Sequence, residues 1–242
     1  MNLIIHLYNI LLYQPLFNGL VLLHLYLPGH DFGVSIIVLT LAVRVVLYPL
    51  MHSSLKSQKA MSLIQPKLQE IQKKHKGDLA KQSQAIMELY RKEKINPASG
   101  ILSLLIQLPL LIALYQVFWK FSSPDQMVYL YSFVPNPGRI EPMFLNFLNL
   151  AEPSAFLAIL AGIFQFLQTK MITPSPDKKG GSRDNMSQFA QVFQKQMLYF
   201  FPIFTILILW RLPSAVGIFW ITTTLFSIGQ QYIVYGKGKS NP

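Results

Sequence analysis

The sequence contains no cysteine among its 242 residues, and few of its side chains are charged. Without cysteine, neither a disulfide framework nor a thiolate metal site can form. Only 13% of the residues are charged, about half of the roughly 25% that soluble domains carry. The apolar residues come in blocks near the length that crosses a bilayer, about 20 helical residues. These features argue against an ordinary soluble domain and indicate an all-α membrane protein.

Acidic side chains are also scarce, ten against 21 lysines and arginines. All ten lie between the apolar blocks or towards their edges, whereas proton- and ion-coupled transporters are expected to bury carboxylates within their spans. The five histidines form no HExxH zinc helix, and the chain has no glycine-rich phosphate loop. The sequence therefore argues against an enzyme and predicts no metal or nucleotide cofactor.

The apolar blocks predict a bundle of five transmembrane helices with a cytoplasmic helical hairpin and an N-terminal interfacial helix. A sixth span is the alternative for the N-terminal segment, which Pro15 and Gly19 interrupt and which lacks a signal-peptide cleavage site. The predicted segments are the interfacial amphipathic helix over 1–30, spans over 31–51, 99–121, 144–171, 197–211 and 213–235, the hairpin over 52–98, an extracytoplasmic loop over 122–143, a cytoplasmic loop over 172–196 and a cytoplasmic tail over 236–242.

The hairpin prediction depends on two apolar stripes in a basic segment. "KGD" at 76–78 predicts a turn between the stripes, and Pro66 is expected to kink the first helix or to start it anew. The first stripe recurs with helical spacing at Met61, Ile64, Leu68 and Ile71, and the second at Leu79, Ile86 and Tyr90.

The positive charge is unevenly distributed along the chain. Seventeen of the 21 lysines and arginines lie in the hairpin, in the second polar loop with its edges, and in the C-terminal tail. Because short cytoplasmic loops are the basic ones, these three regions are predicted to face the cytoplasm. Topology thus accounts for the net charge of +11 without specific nucleic-acid binding, although a ribosome near the hairpin is compatible with it.

The stretch "LTLAVRVVLYPL", residues 39–50, places Arg44 inside an apolar run. Arg44 lies roughly 4 Å past the middle of that run by helical rise, where an arginine costs about 2.5–3.5 kcal/mol on insertion scales. No acidic residue in the spans can pair with it, so we expect a hydrated cavity within the bundle. The alternative is an arginine bonded to backbone carbonyls or to lipid phosphate.

Other predicted spans carry polar groups that could line such a cavity. Counted from Trp220, four of the polar residues in the last span fall on one helix face. Serine and threonine often bond only their own helix, so each residue alone has a structural explanation. The polar groups are Gln107 and Gln116 in the second span, Gln165 and Gln168 in the third, and Trp220, Thr223, Thr224, Ser227, Gln230 and Gln231 in the fifth.

Several motifs together resemble the YidC/Oxa/Alb membrane insertase family over about residues 10–236. They are "VRVVLYPL", "SQKAMSLIQPKLQEIQKKHKGD", "YRKEKINPASGILSLLIQLPLLIALYQVF", "FLQTKM", "MLYFFPIFT" and "GIFWITTTLFSIGQQYIV". The resemblance implies a five-span core in the bacterial cytoplasmic membrane, with a groove open to the cytoplasm and to lipid. The implied groove residues are Arg44, Gln107, Gln165 or Gln168, and Trp220, with Thr223 on the same wall.

The resemblance implies a protein that inserts newly synthesised membrane proteins and helps them fold, acting as a monomer in the bilayer. Its implied partners are nascent membrane proteins, the ribosome, the Sec translocon and the signal-recognition machinery. Two other functions stay open from the residues alone. One is a carrier or channel for a small anion with Arg44 as its selective charge, and the other is a structural assembly factor for a larger translocase.

Overall fold

The structure, a computed structural model, describes residues 3–96, 99–121, 123–138, 140–172 and 185–236. Residues 173–184 of the predicted second cytoplasmic loop and nearly all of the C-terminal tail lie outside these ranges, including Lys178, Lys179, Arg183, Lys237 and Lys239. The helices are α1 (Leu3–Tyr8), α2 (Gln14–Tyr26), α3 (Phe32–Val46), α4 (Tyr48–Leu63), α5 (Gln65–Lys74), α6 (Leu79–Lys92), α7 (Ser99–Lys120), α8 (Ala155–Ile172), α9 (Asn185–Leu209) and α10 (Ser214–Gly236).

The N-terminal helices pack onto the rest of the bundle. A turn of π-helix, Asn9–Tyr13, joins α1 to α2, and α2 packs against α3 and α7. The buried Asn18 side chain donates to the Tyr129 carbonyl at 2.9 Å and accepts from the Tyr131 N–H at 2.8 Å. These bonds satisfy backbone groups of the loop after α7, which would otherwise be left unpaired.

A bend of 67° separates α3 from α4. Asp31 begins α3 by accepting a hydrogen bond from the Val34 N–H at 2.8 Å, as an N-cap residue does. Pro49 lies in the first turn of α4, where its missing N–H removes no helical hydrogen bond. Arg44 is therefore in the last turn of α3, close to the bend.

The predicted hairpin segment forms three helices. The stripe from Met61 to Ile71 is divided between α4 and α5, since Pro66 lies in the first turn of α5 and starts a new helix. The Lys67 ammonium lies 2.6 Å from the Glu93 carboxylate beyond the end of α6, and this hydrogen bond lowers the pKa of Glu93. Asp78 caps α6, and the Lys81 backbone N–H lowers the Asp78 pKa.

One end of the bundle is filled with apolar side chains. Phe17 and Phe32 are fully buried there, and the rings of Phe32 and Phe121 stack with centroids 4.0 Å apart. A two-stranded antiparallel sheet, β1 (Met143–Phe144) with β2 (Leu148–Asn149), lies beside the start of α3. Gly33 is needed at this contact, because a Cβ there would lie 2.2 Å from the Phe144 ring.

The outer faces of the helices carry apolar side chains that other helices do not cover. On α8 and α9 these include Phe156 and Leu207, which are 72% and 62% exposed. Exposed apolar surface of this extent is typical of contact with lipid. Together with the helical content, it agrees with the prediction of an all-α membrane protein.

Helix length and hydropathy together identify two candidate transmembrane segments among the described residues. Among the described residues, α8 alone is long and apolar enough by itself, and α3 with α4 qualifies as one bent span. The 23-residue α10 has the length, but its threonine, serine and glutamine residues lower its mean hydropathy. The five-span count therefore stays a prediction.

The contact between α8 and α9 generates a stability prediction. A Cβ at Gly162 would lie 2.4 Å from Ile206 Cγ1 and 3.2 Å from the Pro202 carbonyl oxygen. We expect Gly162→Ala to lower the free energy of unfolding by about 1–3 kcal/mol, because overpacking displaces both helices. The measurement is the unfolding midpoint of the purified chain in detergent.

Gly229→Ala in α10 is the matched control, since a Cβ there has no neighbour within 4 Å. That change should leave stability unaltered or raise it by up to roughly 1 kcal/mol, through the helix preference of alanine. Ile206→Ala should restore part of the loss in Gly162→Ala. Equal midpoints for both single alanine variants would contradict the close approach of α8 and α9.

Candidate functional site

A polar cavity of about 340 Å³ lies inside the otherwise apolar bundle. Its walls come from α3, α4, α7, α8 and α10, which are distant from one another in sequence. The lining residues are Arg44, Met51, Ser54, Leu55, Gln58, Gln107, Leu111, Gln165, Gln168, Ile172, Phe219, Trp220, Thr223, Thr224, Ser227, Gln230 and Gln231.

Among the described residues that line this cavity, Arg44 is the charged one. Its side chain comes from the last turn of α3, and the residue is only 7% exposed. Among the described residues, no carboxylate lies within ion-pair distance of its guanidinium. The two ion pairs that these residues form are both in the hairpin segment. A buried cation without a counter-ion has a large desolvation penalty, so polar groups or water in the cavity must solvate it.

All six residues predicted to form the groove line this one cavity. Arg44 comes from α3 and Gln107 from α7, while Gln165 and Gln168 come from α8, and Trp220 and Thr223 from α10. The sequence did not decide between Gln165 and Gln168, and both line the wall. Gln116 lies elsewhere, accepting a hydrogen bond from the Tyr8 hydroxyl at 3.2 Å.

A hydrogen bond links two walls of the cavity. Trp220 Nε1 donates to Gln165 Oε1 at 3.2 Å, which joins α10 to α8. Both residues also line a second, mainly apolar cavity of about 200 Å³ bounded by Phe201, Phe204 and other residues of α9. The Trp220–Gln165 pair thus lies between the polar cavity and the apolar one.

Two of the α10 hydroxyl groups bond to their own helix backbone, the structural role that the sequence left open. Thr224 donates to the Trp220 carbonyl at 2.8 Å, and Ser227 donates to the Thr223 carbonyl at 2.9 Å. These are bonds to the residue's own helix. Both residues nevertheless lie on the cavity wall, since this bond leaves a hydroxyl oxygen able to accept.

Three other buried polar atoms on the cavity wall have no hydrogen-bond partner among the described residues. They are Thr223 Oγ1, Gln230 Nε2 and Gln231 Oε1, and all three residues line the cavity. Gln230 and Gln231 are 4% and 1% exposed. Buried polar atoms are normally satisfied, so these atoms mark positions where water or a bound chain would make hydrogen bonds.

Gln58 and Ser54 belong to the site but were not among the predicted groove residues. Both come from α4, which the sequence assigned to the solvated hairpin because it is polar and follows the first apolar block. The bend after Val46 returns α4 towards α10 and α7. No spacing rule within α4 alone could have shown this, since it depends on contacts with distant helices.

The fold and the cavity define a class of protein, a helical membrane protein with a buried cation in a polar cavity. A family model described as "60Kd inner membrane protein" matches residues 23–241. The chain is 35% identical over 210 residues to a membrane protein insertase YidC of Fusobacterium nucleatum, which covers 86% of this chain and 88% of the relative.

Longer relatives match as well. Those named membrane protein insertase YidC from Magnetococcus marinus and Ectopseudomonas mendocina are 31% and 33% identical over 88% and 93% of this chain. The chain spans only 34% of the length of each of these two relatives. The chain belongs to the YidC/Oxa/Alb insertase family, as its motifs predicted.

The hydration of the cavity can be tested by labelling, because the chain contains no cysteine. We expect Thr223→Cys to react with a water-soluble maleimide. The thiolate is the nucleophile that adds to the maleimide, and it forms only where water reaches the sulfur. Leu225→Cys is the control on the same helix, because Leu225 does not line the cavity and is 45% exposed on the outer surface. We expect that thiol to lie in lipid and to react at least tenfold more slowly.

The readout is the extent of labelling over time in sealed membranes, corrected for the amount of each variant. Both thiols should react at similar rates after the protein is unfolded in detergent. Slow labelling of Thr223→Cys in the membrane, at the rate of Leu225→Cys, would show that the cavity is dry.

Proposed function

We propose that this chain inserts newly made membrane proteins by receiving their polar outer segments in the cavity, here called the groove. The observation that carries the proposal is Arg44, a buried cation on the groove wall without a carboxylate among the described residues. A cation kept unpaired in this way is available to a negative charge on a passing chain. Family membership favours this function over an anion carrier.

The attraction between Arg44 and an acidic tail is stronger in the groove than in water. Two unit charges 4 Å apart attract by about 1 kcal/mol in water and by about 4 kcal/mol at an effective dielectric constant of 20. A substrate with a short acidic outer tail would therefore be drawn from the aqueous phase into the groove. No nucleotide or metal takes part in this step.

The glutamines of the groove supply hydrogen bonds to the main chain of the tail. Each glutamine side chain is an amide with a donor and an acceptor, so it resembles the peptide group that it would bind. A peptide group transferred into an apolar medium without partners costs several kcal/mol. Groove amides at Gln58, Gln107, Gln165, Gln168, Gln230 and Gln231 would lower that barrier for tails of many sequences.

Release follows from the apolar span of the substrate. Burial of apolar surface contributes about 25 cal/mol per Å². The free energy gained when a spanning segment moves from the groove into lipid therefore exceeds the free energy of the contacts between its tail and the groove. The Trp220–Gln165 pair stands between the groove and an apolar cavity. If the Trp220 and Gln165 side chains separated, the substrate's span would have a lateral route from the groove towards lipid.

The proposed arrangement in the membrane follows the charge distribution. Five spans, with the hairpin, the second polar loop and the C-terminus on the cytoplasmic side, place the basic segments where the positive-inside rule requires. The apolar end of the bundle would then face outwards, with residues 1–30 along the interface. We propose the ribosome, the Sec translocon and the signal-recognition machinery as partners on the hairpin side, and an active monomer without specific nucleic-acid binding.

The central test measures insertion of a single-span protein with an acidic outer tail, in cells depleted of their own insertase. We expect Arg44→Lys to support insertion, because it keeps the charge. Arg44→Ala and Arg44→Glu should reduce insertion at least tenfold, as the loss of about 1.4 kcal/mol or more of attraction implies.

The same test protein with glutamine in place of its acidic residues is the control, and Arg44→Ala should insert that protein as well as the native chain does. Equal amounts of each variant must be present in the membrane. Equal insertion of the acidic tail by all four chains would rule out the electrostatic role of Arg44.

The contribution of the amides can be separated from that of the charge. Gln230→Leu and Gln231→Leu keep the side-chain size and remove the hydrogen-bonding groups, so we expect insertion of acidic and neutral tails to fall by similar factors. One lost hydrogen bond, about 0.5–1.5 kcal/mol, corresponds to a reduction of roughly twofold to tenfold.

Tyr232→Phe is the control for these glutamine variants, since it removes a polar group from α10 at a residue that is 73% exposed and outside the groove. It should leave insertion unchanged. A loss confined to acidic tails would show that the glutamines act through Arg44 and not on the main chain of the substrate.

A further inference from the structure

A second cavity, of about 360 Å³, lies between α4 and the C-terminal end of α10. It shares none of its lining residues with the groove. Its α4 wall carries His52, Lys56 and Lys59. The two lysines follow His52 by four and seven residues, so all three side chains lie on one face of the helix. No acidic residue lines this cavity among the described residues, so its charge is positive.

Two of these three side chains are held in place by the protein. Lys59 Nζ donates to the Val234 carbonyl at 2.7 Å and lies 5.6 Å from the centre of the Tyr235 ring. Val234 is in the last turn of α10, where carbonyl groups lack helical partners. An ammonium has three N–H donors, so Lys59 keeps two for a ligand.

His52 is fixed by the neighbouring aromatic ring. It stacks on Tyr48 with ring centroids 5.5 Å apart and an angle of 14° between the planes. Its Nδ1 atom is buried and has no hydrogen-bond partner among the described residues. A ligand with acceptor oxygens would satisfy this nitrogen in its N–H form.

The rim of the cavity is apolar and uncovered. Leu63 and Ile233, which line it, are 70% and 45% exposed, and the neighbouring Tyr232 is 73% exposed. An occupant must therefore combine an anionic group with apolar chains, which is the chemistry of an anionic phospholipid. Basic pockets between helices at the cytoplasmic surface bind such headgroups.

We propose that this cavity binds the phosphate headgroup of an anionic phospholipid, with its acyl chains along the exposed flank of α10. The same two helices contribute Gln58 and Gln231 to the groove wall. A headgroup bound to Lys56 and Lys59 would therefore lie between two helices that also form walls of the groove. This lipid site does not depend on the substrate chemistry proposed for the groove.

The test is a binding titration of the purified full chain in detergent, followed by native mass spectrometry. The probes are phosphatidylglycerol, phosphatidylcholine with the same acyl chains, and inorganic phosphate. We expect one phosphatidylglycerol to bind in preference to phosphatidylcholine. Each basic side chain near a membrane surface contributes about a fivefold gain in affinity for anionic lipid, so Lys56→Gln with Lys59→Gln should weaken binding roughly 30-fold.

Lys73→Gln with Lys74→Gln is the matched control, because both lysines are exposed on α5 and the loss of charge is the same. It should change the affinity by less than about twofold, if the site acts locally. Glutamine at position 59 can still donate to the Val234 carbonyl, so the end of α10 keeps a partner. Unchanged unfolding midpoints would verify that both double variants are folded.

Three results would overturn the proposal. Equal losses in the two double variants would show general attraction by surface charge, and equal binding of phosphatidylcholine would show that the apolar rim alone holds the lipid. Displacement of phosphatidylglycerol by inorganic phosphate at the same concentration would assign the cavity to a free anion instead of a lipid.

Discussion

The buried guanidinium of Arg44 is the constraint on which the rest of the polar interior depends. A cation buried at 7% exposure without a carboxylate among the described residues requires polar neighbours or water. The bundle meets this requirement by turning six glutamines and several hydroxyl groups from four helices towards one cavity. An acid beside Arg44 would be the simpler way to stabilise it. Such a pair, however, would occupy the charge that we propose for substrate attraction.

Close packing and open space are divided between the two ends of the molecule. At one end, Phe17, Phe32 and Phe121 fill the bundle, and Gly33 lets the Phe144 ring approach the α3 backbone. Towards the other end, the bend after α3 and the return of α4 to α10 leave the groove between the helices. A polar space with one apolar, packed end would let a hydrophilic tail enter part of the membrane without opening a continuous water-filled path across it.

The helix α10 connects the two proposed binding regions. Its middle carries Trp220 and Thr223 on the groove, and its last turn receives the Lys59 side chain from α4. The basic hairpin begins in α4, so a partner bound at the hairpin would be connected to the groove through α4 and α10. The two regions are linked by the positions of α4 and α10. The lipid titration measures binding near the end of α10, and the insertion assays measure the function of the groove.

The sequence by itself determined the features that depend on composition and on spacing along one helix. Block length and scarce charge identified a helical membrane protein, the absence of intramembrane acids marked Arg44, and helical spacing from Trp220 placed Thr223 and Gln231 on one face. The local motifs identified the family, which the comparisons confirm. Tertiary structure alone decided which helices meet. Packing between distant segments places Gln58 on the groove wall and forms the Trp220–Gln165 hydrogen bond. It also brings Lys59 to the Val234 carbonyl, 175 residues away. The periodicity of a single segment carries no information about which other segment it packs against.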